Sequence, residues 1–503
     1  MGLEVSPFDL SGIERDAHGI QRYQNLPDSL LQMLRRTVDR SPGAEALVEL
    51  GGARITYRDW WHGAACVAGG LRGMGIQAGD RVAIRLANGI DWAMAFFGTL
   101  MAGAVVIPVN MRFSESEVEY VLTDSGARFT FLSGQPLPYA QPFVTPHLGK
   151  SDVAAIFYTS GTTGFPKGAM TTHENFLSNV ETFRRVSVVP HDAEYRTLIS
   201  VPLFHVTGCN SQLLVAACLG GASVIMPAFD IQAFLRAIPA ERIKAIPSVP
   251  AIFWYALNQP NFADFDLTGV RWVMYGGAPT PPDLVARIME AFPNARVSNS
   301  YGLTETSSVA TFLPHEYSKT RPDSVGLAAP VVDLKLLDPD PESGVGELLI
   351  RAPNVVAGYW NKPQATASTF TDGWLHTGDL ARLDAEGFVQ IVDRKKDMVN
   401  RGGENVYSVE VENALASHPA VFESAVLGVP DSMLGEKVGA VIVLKPGHTA
   451  DAAGICAFAR QRIADFKVPQ YVVFREDPLP RNPGGKILKA QLRKETEWGA
   501  PLR

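Results

Sequence analysis

Cysteine is scarce in this chain: there are four in 503 residues. Cys66, Cys209, Cys218 and Cys456 lie far apart and form no CxxC pair. This argues against a disulfide framework and a cysteine-based zinc site, and it suits a reducing cytosol. No long basic run is present and the net charge is −7, so nucleic acid is not expected as the main partner. The first residues, MGLEVSPFDLSGIERD, carry no apolar run behind a basic start and do not read as a signal peptide. An unbroken apolar stretch of the ~20 residues that a bilayer span needs is also missing. The nearest approach, WAMAFFGTLMAGAVVIPV at 92–109, is interrupted by Gly98, Gly103 and Pro108. Its β-branched residues gather at 105–107, so it reads as a buried helix ending near Gly103 and then a short buried strand.

What is present is the composition of a globular protein, with 46% hydrophobic and 19% charged residues. A chain of 503 residues exceeds one ordinary core, so two or three domains are expected. Residues 1–25 read as a loosely structured N-terminal extension. DSLLQMLRRTV, 28–38, places Leu30, Leu31, Leu34 and Val38 on one helical face behind Asp28 as N-cap. From there to about 390, short β-branched runs such as RVAIRL (81–86), AAIFYTS (154–160) and RWVMYGG (271–277) alternate with helical patterns such as DLVARIMEAF (283–292). This alternation predicts an α/β fold of helix-covered, largely parallel sheets, with ligands at the carboxyl ends of strands.

After Gly378-Asp379 the texture changes. LARLDAEGFVQIVDRKKDMV, 380–399, reads as a hairpin and a charged cluster; SVEVENALASH (408–418) and FARQRIADF (458–466) read as helices. The predicted layout is a large N-terminal domain over 26–394 and a small mobile α+β domain over 395–503, with a hinge at 394–397. There is no internal repeat.

Five stretches carry chemistry. The first, YTSGTTGFPKG at 158–168, follows a buried strand. Backbone N–H groups of such a turn form a nest for phosphate oxygens; Thr159, Ser160, Thr162 and Thr163 add hydroxyls and Lys167 adds a charge. It is not a Walker loop, because Pro166 precedes the lysine and Gly168 follows it. The others are YGLTET (301–306), WLHTGDL (374–380), VDRKKDMVNRGGENVY (392–407) and PRNPGGKILK (480–489). Taken singly, each has a bland alternative: a solvated carboxylate, a capping aspartate, a solvated hairpin turn, a surface lysine.

In this order and spacing the five stretches, from about residue 28 to 495, resemble the adenylate-forming superfamily and within it the acyl-CoA synthetases. The resemblance implies an enzyme that uses ATP, Mg²⁺ and CoA to convert a carboxylic acid first to an acyl-adenylate and then to a thioester. It implies that Thr159, Ser160, Gly161, Thr162, Thr163, Gly164 and Lys167 hold the β,γ-phosphates. Gly276, Gly277 and Ala278 pack against adenine, Asn299 and Tyr301 border it, and Gly302 belongs to the ATP/AMP site. Thr304 contacts the α-phosphate, Glu305 holds the metal, and Asp379 with Arg394 takes the ribose hydroxyls. Lys396 is the hinge and Lys486 bridges carboxylate and α-phosphate. Gly402, Gly403, Glu404, Phe466 and Lys467 serve CoA. His205, Val206, Trp254, Gly277 and Val309 line the acyl pocket, and His205 counts with Thr304, Glu305 and Lys486 among the catalytic residues, ordering the carboxylate pocket or gating the thiol.

Some positions depart from the pattern. Ser408 stands where a proline often follows GGEN-x-Tyr. Leu434 and Val468 replace residues that contact the CoA nucleotide in some relatives, which puts those contacts in doubt. No acidic residue near His205 could hold an α-amine, which favours an acid without one. A medium or long-chain fatty acid leads, and an aryl acid stays open. Two alternatives also remain: a standalone ligase that loads a carrier protein, and a nucleotide-binding relative without catalysis. A cytoplasmic location is expected; peripheral membrane contact and a homodimer are left open.

Overall fold

The computed structural model describes residues 6–159, 166–189, 194–481 and 487–502. Its largest sheet has nine strands. Five successive parallel pairings join Arg296–Tyr301, Trp272–Gly276, Ala245–Ser248, Arg196–Ile199, Ala222–Ile225 and Glu45–Glu49. Antiparallel strands close both edges. A second sheet orders Ala127–Leu132, Arg81–Arg85, Val105–Pro108 and Val153–Thr159 in parallel and ends on antiparallel Lys167–Thr172.

The helix Ile90–Met101 packs against Tyr57–Gly73, with Trp92, Phe96, Phe97 and Leu100 all buried. A Cβ at Gly98 would stand 2.6 Å from Val67, so only glycine allows this approach of the two helices. The 92–109 stretch is therefore a helix and then a strand, and among the described residues no helix is long and apolar enough to cross a membrane.

A third sheet, built from Asp333–Leu337, Gly346–Arg351, Trp374–Leu383, Phe370–Thr371 and Val389–Arg394, is antiparallel throughout. The strands from Val399–Arg401 onward belong to a fourth sheet with its own core of Val399, Val406, Val411, Leu415, Val426 and Ile442. Sheet membership thus changes between Arg394 and Val399.

Three local expectations are corrected. Residues 1–25 are not loosely structured throughout: Ile13–Arg15 and Gln21–Tyr23 form a hairpin. It is fixed by Arg15 to Asp333 at 2.8 Å, Arg22 to Glu174 at 2.6 Å, and the Tyr23 and Thr182 hydroxyls at 2.8 Å. The first helix runs Leu30–Arg40 and its cap is Ser29, whose hydroxyl accepts from Gln32 N–H, rather than Asp28. The helix expected at 458–466 lies at Ala452–Arg460, because Asp451 caps it and Ile455, Cys456 and Ala459 set its buried face.

Candidate active site

The strands Val153–Thr159 and Lys167–Thr172 pair so that Thr159 stands opposite Lys167. They present the two ends of the hydroxyl-rich turn; Ser160, Gly161, Thr162, Thr163 and Gly164 lie outside the described residues. The far edge of Lys167–Thr172 is taken by the segment 358–360. Met170 N–H donates to Gly358 O at 2.9 Å and Trp360 N–H to Gly168 O at 2.8 Å. This register delivers Tyr359, which the sequence reading did not single out. Lys167 Nζ sits 5.1 Å from the Tyr359 ring centroid, and the Tyr359 hydroxyl donates to Glu305 Oε1 at 2.6 Å. One phenol therefore ties the turn's lysine to the expected metal ligand. Burial and the Glu305 carboxylate hold that phenol protonated, far above its ordinary range.

Thr304 and Glu305 form a single 3₁₀ turn inside a strained loop. Ser307 and Ser308 have φ of 51° and 119°, in the left-handed half of the map where L residues are strained. A Cβ at Gly302 would lie 1.4 Å from Ser308 O. Three buried asparagines hold the loop. Asn354 donates to Thr306 O and Val309 O at 2.8 and 2.6 Å, Asn210 donates to Ser307 O at 2.9 Å, and Asn179 accepts from Val309 N–H at 3.1 Å. These too escaped the sequence reading, since an asparagine in a helical pattern (179, 210) or in a turn (354) carries no local sign of burial.

The expected ribose side is a β-bulge. Strand Trp374–Leu383 shifts register against Gly346–Arg351 around Thr377–Asp379, and Gly378 takes φ 68°. The bulge aims Asp379, only 3% exposed, at two donors: Tyr301 Oη at 2.6 Å and Arg394 Nε at 3.1 Å. Asp379 and Arg394 face each other on neighbouring strands. A cavity of about 370 Å³, lined by Thr377, Gly378, Arg394, Lys395 and Lys396, opens at this bulge. Burial lowers the Lys396 ammonium below its usual range. Asn299, expected beside adenine, is buried and donates its amide to Ser324 O at 3.1 Å. Gly276, Gly277 and Ala278 leave the end of Trp272–Gly276, and a Cβ at Gly276 would meet Ser300 O at 2.2 Å.

On the acid side, His205 precedes the short helix Val206–Gly208 and a π-turn, Cys209–Leu213, a feature frequent at functional sites. Its Nε2 is enclosed without a protein partner, its ring rests 4.8 Å from Phe204, and burial lowers its pKa to about 4. The imidazole is therefore neutral at ordinary pH. Val309 is fully buried. Trp254, expected on the acyl-pocket wall, packs edge-on against Phe422 of the small domain at 4.5 Å.

The remaining expected residues belong to the small domain. Gly402 and Gly403, at φ 63° and 94°, are the two central residues of the tight turn joining Val399–Arg401 to Glu404–Val406. Glu404 is exposed, and Phe466 and Lys467 share a 3₁₀ turn in which Lys467 pairs with Glu410 at 2.7 Å. Lys486 lies outside the described residues, between Arg481 and Ile487, which bridge to each other.

The described site thus holds Lys167 and Glu305 on either side of Tyr359, and Asp379 between Tyr301 and Arg394. The model of the AMP-binding enzyme family matches residues 34–145 and 135–360, and that of the AMP-binding enzyme C-terminal domain matches 410–486. A feruloyl-CoA synthase of Amycolatopsis is 35% identical over 91% of this chain and 97% of its own length. A long-chain-fatty-acid–CoA ligase of Mycobacterium tuberculosis is 34% identical over 93% and 99%. Among solved structures, o-succinylbenzoate-CoA synthetase of Bacillus subtilis with its acyl-adenylate superposes with a TM-score of 0.85. It is 28% identical, covering 95% of this chain and all of its own; it is also known with ATP and magnesium. The chain belongs to the AMP-binding enzyme family. It is an AMP-forming acid–CoA ligase that uses ATP and CoA.

Proposed function

We propose that this ligase activates a medium or long-chain fatty acid and passes the acyl group to free CoA, in two half-reactions at one site. A carboxylate is a poor acyl donor because its leaving group would be oxide; adenylation replaces oxide with AMP. The first step must bring a carboxylate to a phosphate, and two unit charges ~4 Å apart repel by ~4 kcal/mol at an effective dielectric of about 20. Lys167 and the turn 159–164 hold the β,γ-phosphates, Thr304 takes the α-phosphate, and Lys486 stands between the two anions. Stabilising charge that develops in the transition state is usually the largest catalytic contribution.

Glu305 suits Mg²⁺. Among the described residues no group of three acidic, histidine or cysteine side chains could hold a metal alone. One carboxylate at a phosphate turn matches a cation that shares phosphate oxygens and water. Bound there, Mg²⁺ supplies positive charge to the triphosphate. Asp379 keeps acceptor capacity for ribose hydroxyls beyond the bonds from Tyr301 and Arg394. Adenine lies along Gly276, Gly277, Ala278 and Gly302, bordered by Tyr301 and backed by Asn299. His205, Val206, Gly277 and Val309, with Trp254 at the domain contact, border the acyl group. The stretches 204–208, 248–257, 276–278 and 307–311 contain no lysine or arginine, which disfavours a dicarboxylate. An aryl acid is the second reading, supported by the feruloyl-CoA synthase at similar identity.

The second step needs Lys486 out of the way. Rotation of the small domain about Lys396 removes it and carries Gly402, Gly403 and Glu404 to the site, with Phe466 and Lys467 placed for the CoA nucleotide. Domain gating of this kind often sets turnover. The enzyme acts in the cytosol, and the change of sheet between Arg394 and Val399 supports a boundary at 394–397.

The observation that carries the reading is the cluster of Lys167, Tyr359 and Glu305, joined through the short segment 301–305 to the cluster of Tyr301, Asp379 and Arg394. Acid-dependent exchange of labelled pyrophosphate into ATP, run over fatty and aryl acids with CoA consumption in parallel, tests it. Exchange with medium or long-chain acids and matching thioester formation is the expected result. No exchange with any acid would favour a binding protein, and transfer only to a carrier protein would overturn free CoA as acceptor.

A further inference from the structure

Asp393 and Ser408 stand on opposite sides of the hinge. Asp393 is next to last in Val389–Arg394, and Ser408 opens the small-domain helix Ser408–Ala416; both are almost fully buried. The Asp393 carboxylate accepts from the Ser408 backbone N–H and from its hydroxyl at 2.8 Å. The same hydroxyl accepts from Lys489 Nζ at 2.6 Å, and Lys489 also pairs with Glu412 at 2.7 Å. Lys489 begins the helix Lys489–Glu495, three residues after Lys486. One serine thus joins the last strand before the hinge to the arm that carries Lys486.

We infer that Ser408 is a positioning residue: it latches the Lys486 arm to Asp393 in the domain orientation seen here. The inference rests on the two-step reading above. Because Asp393 precedes Lys396 while Ser408 and Lys489 follow it, rotation at the hinge must break both bonds to Asp393. The latch therefore weights one orientation over the other, and so one half-reaction over the other. A proline at 408, the residue often found at this place in the pattern this chain resembles, has neither N–H nor hydroxyl and cannot make either bond. It would still fit the fold. Position 408 is the first residue of its helix, where proline is well tolerated, and Tyr407 already has the extended backbone that precedes proline.

The test compares wild type, Ser408→Pro, Ser408→Ala and Ser408→Thr in single-turnover measurements of each half-reaction: pyrophosphate release, and thioester formation from supplied acyl-adenylate. In the Pro and Ala variants one half-reaction should speed up and the other slow down. The rate ratio should move about tenfold to a hundredfold in Ser408→Ala, which loses one hydrogen bond to the charged Asp393, and further in Ser408→Pro, which loses two, with Thr retaining most of the wild-type ratio. Equal slowing of both, or no change in either, overturns the latch. Spin-label distances between the domains give a readout that needs no activity. A new distance population in Ser408→Pro supports the latch and an unchanged distribution overturns it, even if wild type proves inactive towards every acid tried and only the two-step reading fails.

Discussion

Tyr359 contacts Lys167 and Glu305 at once, and the two contacts can be separated by one atom. Tyr359→Phe keeps the ring under Lys167 and deletes the bond to Glu305. A hydrogen bond to a charged group is worth ~1.5–3 kcal/mol, so pyrophosphate exchange should fall about tenfold to a hundredfold with the fold intact by circular dichroism. His205 makes a different prediction. With a pKa near 4 in the folded protein and ~6.5 unfolded, it is neutral while it works. The exchange rate should show no inflection owed to His205 between pH 5 and 8. Because the folded pKa is depressed, its contribution to stability is complete above ~6.5 and is lost as pH falls through about 4. His205→Gln should flatten that part of the dependence of melting temperature on pH. His173, buried and lowered to about 4, should preserve the remainder.

At the scale of elements, the turn Gly402–Gly403 carries two successive left-handed residues, a conformation that costs an ordinary residue ~1–2 kcal/mol. Gly402→Ala adds a Cβ 2.9 Å from Leu434 Cδ2, whereas Gly403→Ala meets nothing. Both should slow thioester formation more than adenylation, and Gly402→Ala the more so, in half-reaction assays. Element-level legibility in the sequence follows the range of the interactions. The strand Val153–Thr159 was readable because its apolar run is continuous and leads into a glycine-rich stretch. Helix Ile90–Met101 was readable because its glycine and proline breaks are local. Tyr359 and the asparagines 179, 210 and 354 were not, because strand register and loop packing bring them to the site from distant segments. The cap moved from Asp28 to Ser29 because adjacent polar residues compete for one capping role, and the helix lies at Ala452–Arg460 because Asp451 caps it ahead of the apolar residues 455–459. The wholly antiparallel third sheet also went unread beyond its last hairpin: its short strands do not alternate with helices.

At the scale of the molecule, the account requires two orientations of the lobes. Trp254 and Phe422 touch across them at 4.5 Å, so rotation must part the rings. Tryptophan emission should change when acyl-adenylate and CoA are supplied together, and Trp254→Phe should remove that change. An unchanged signal in the wild type would mean that this contact survives the second step. The most direct test of the central claim is Lys486→Ala assayed in both half-reactions. Acid-dependent pyrophosphate exchange should disappear while thioester formation from supplied acyl-adenylate stays near the wild-type rate; equal loss of both would rule out Lys486 as the group that serves adenylation alone.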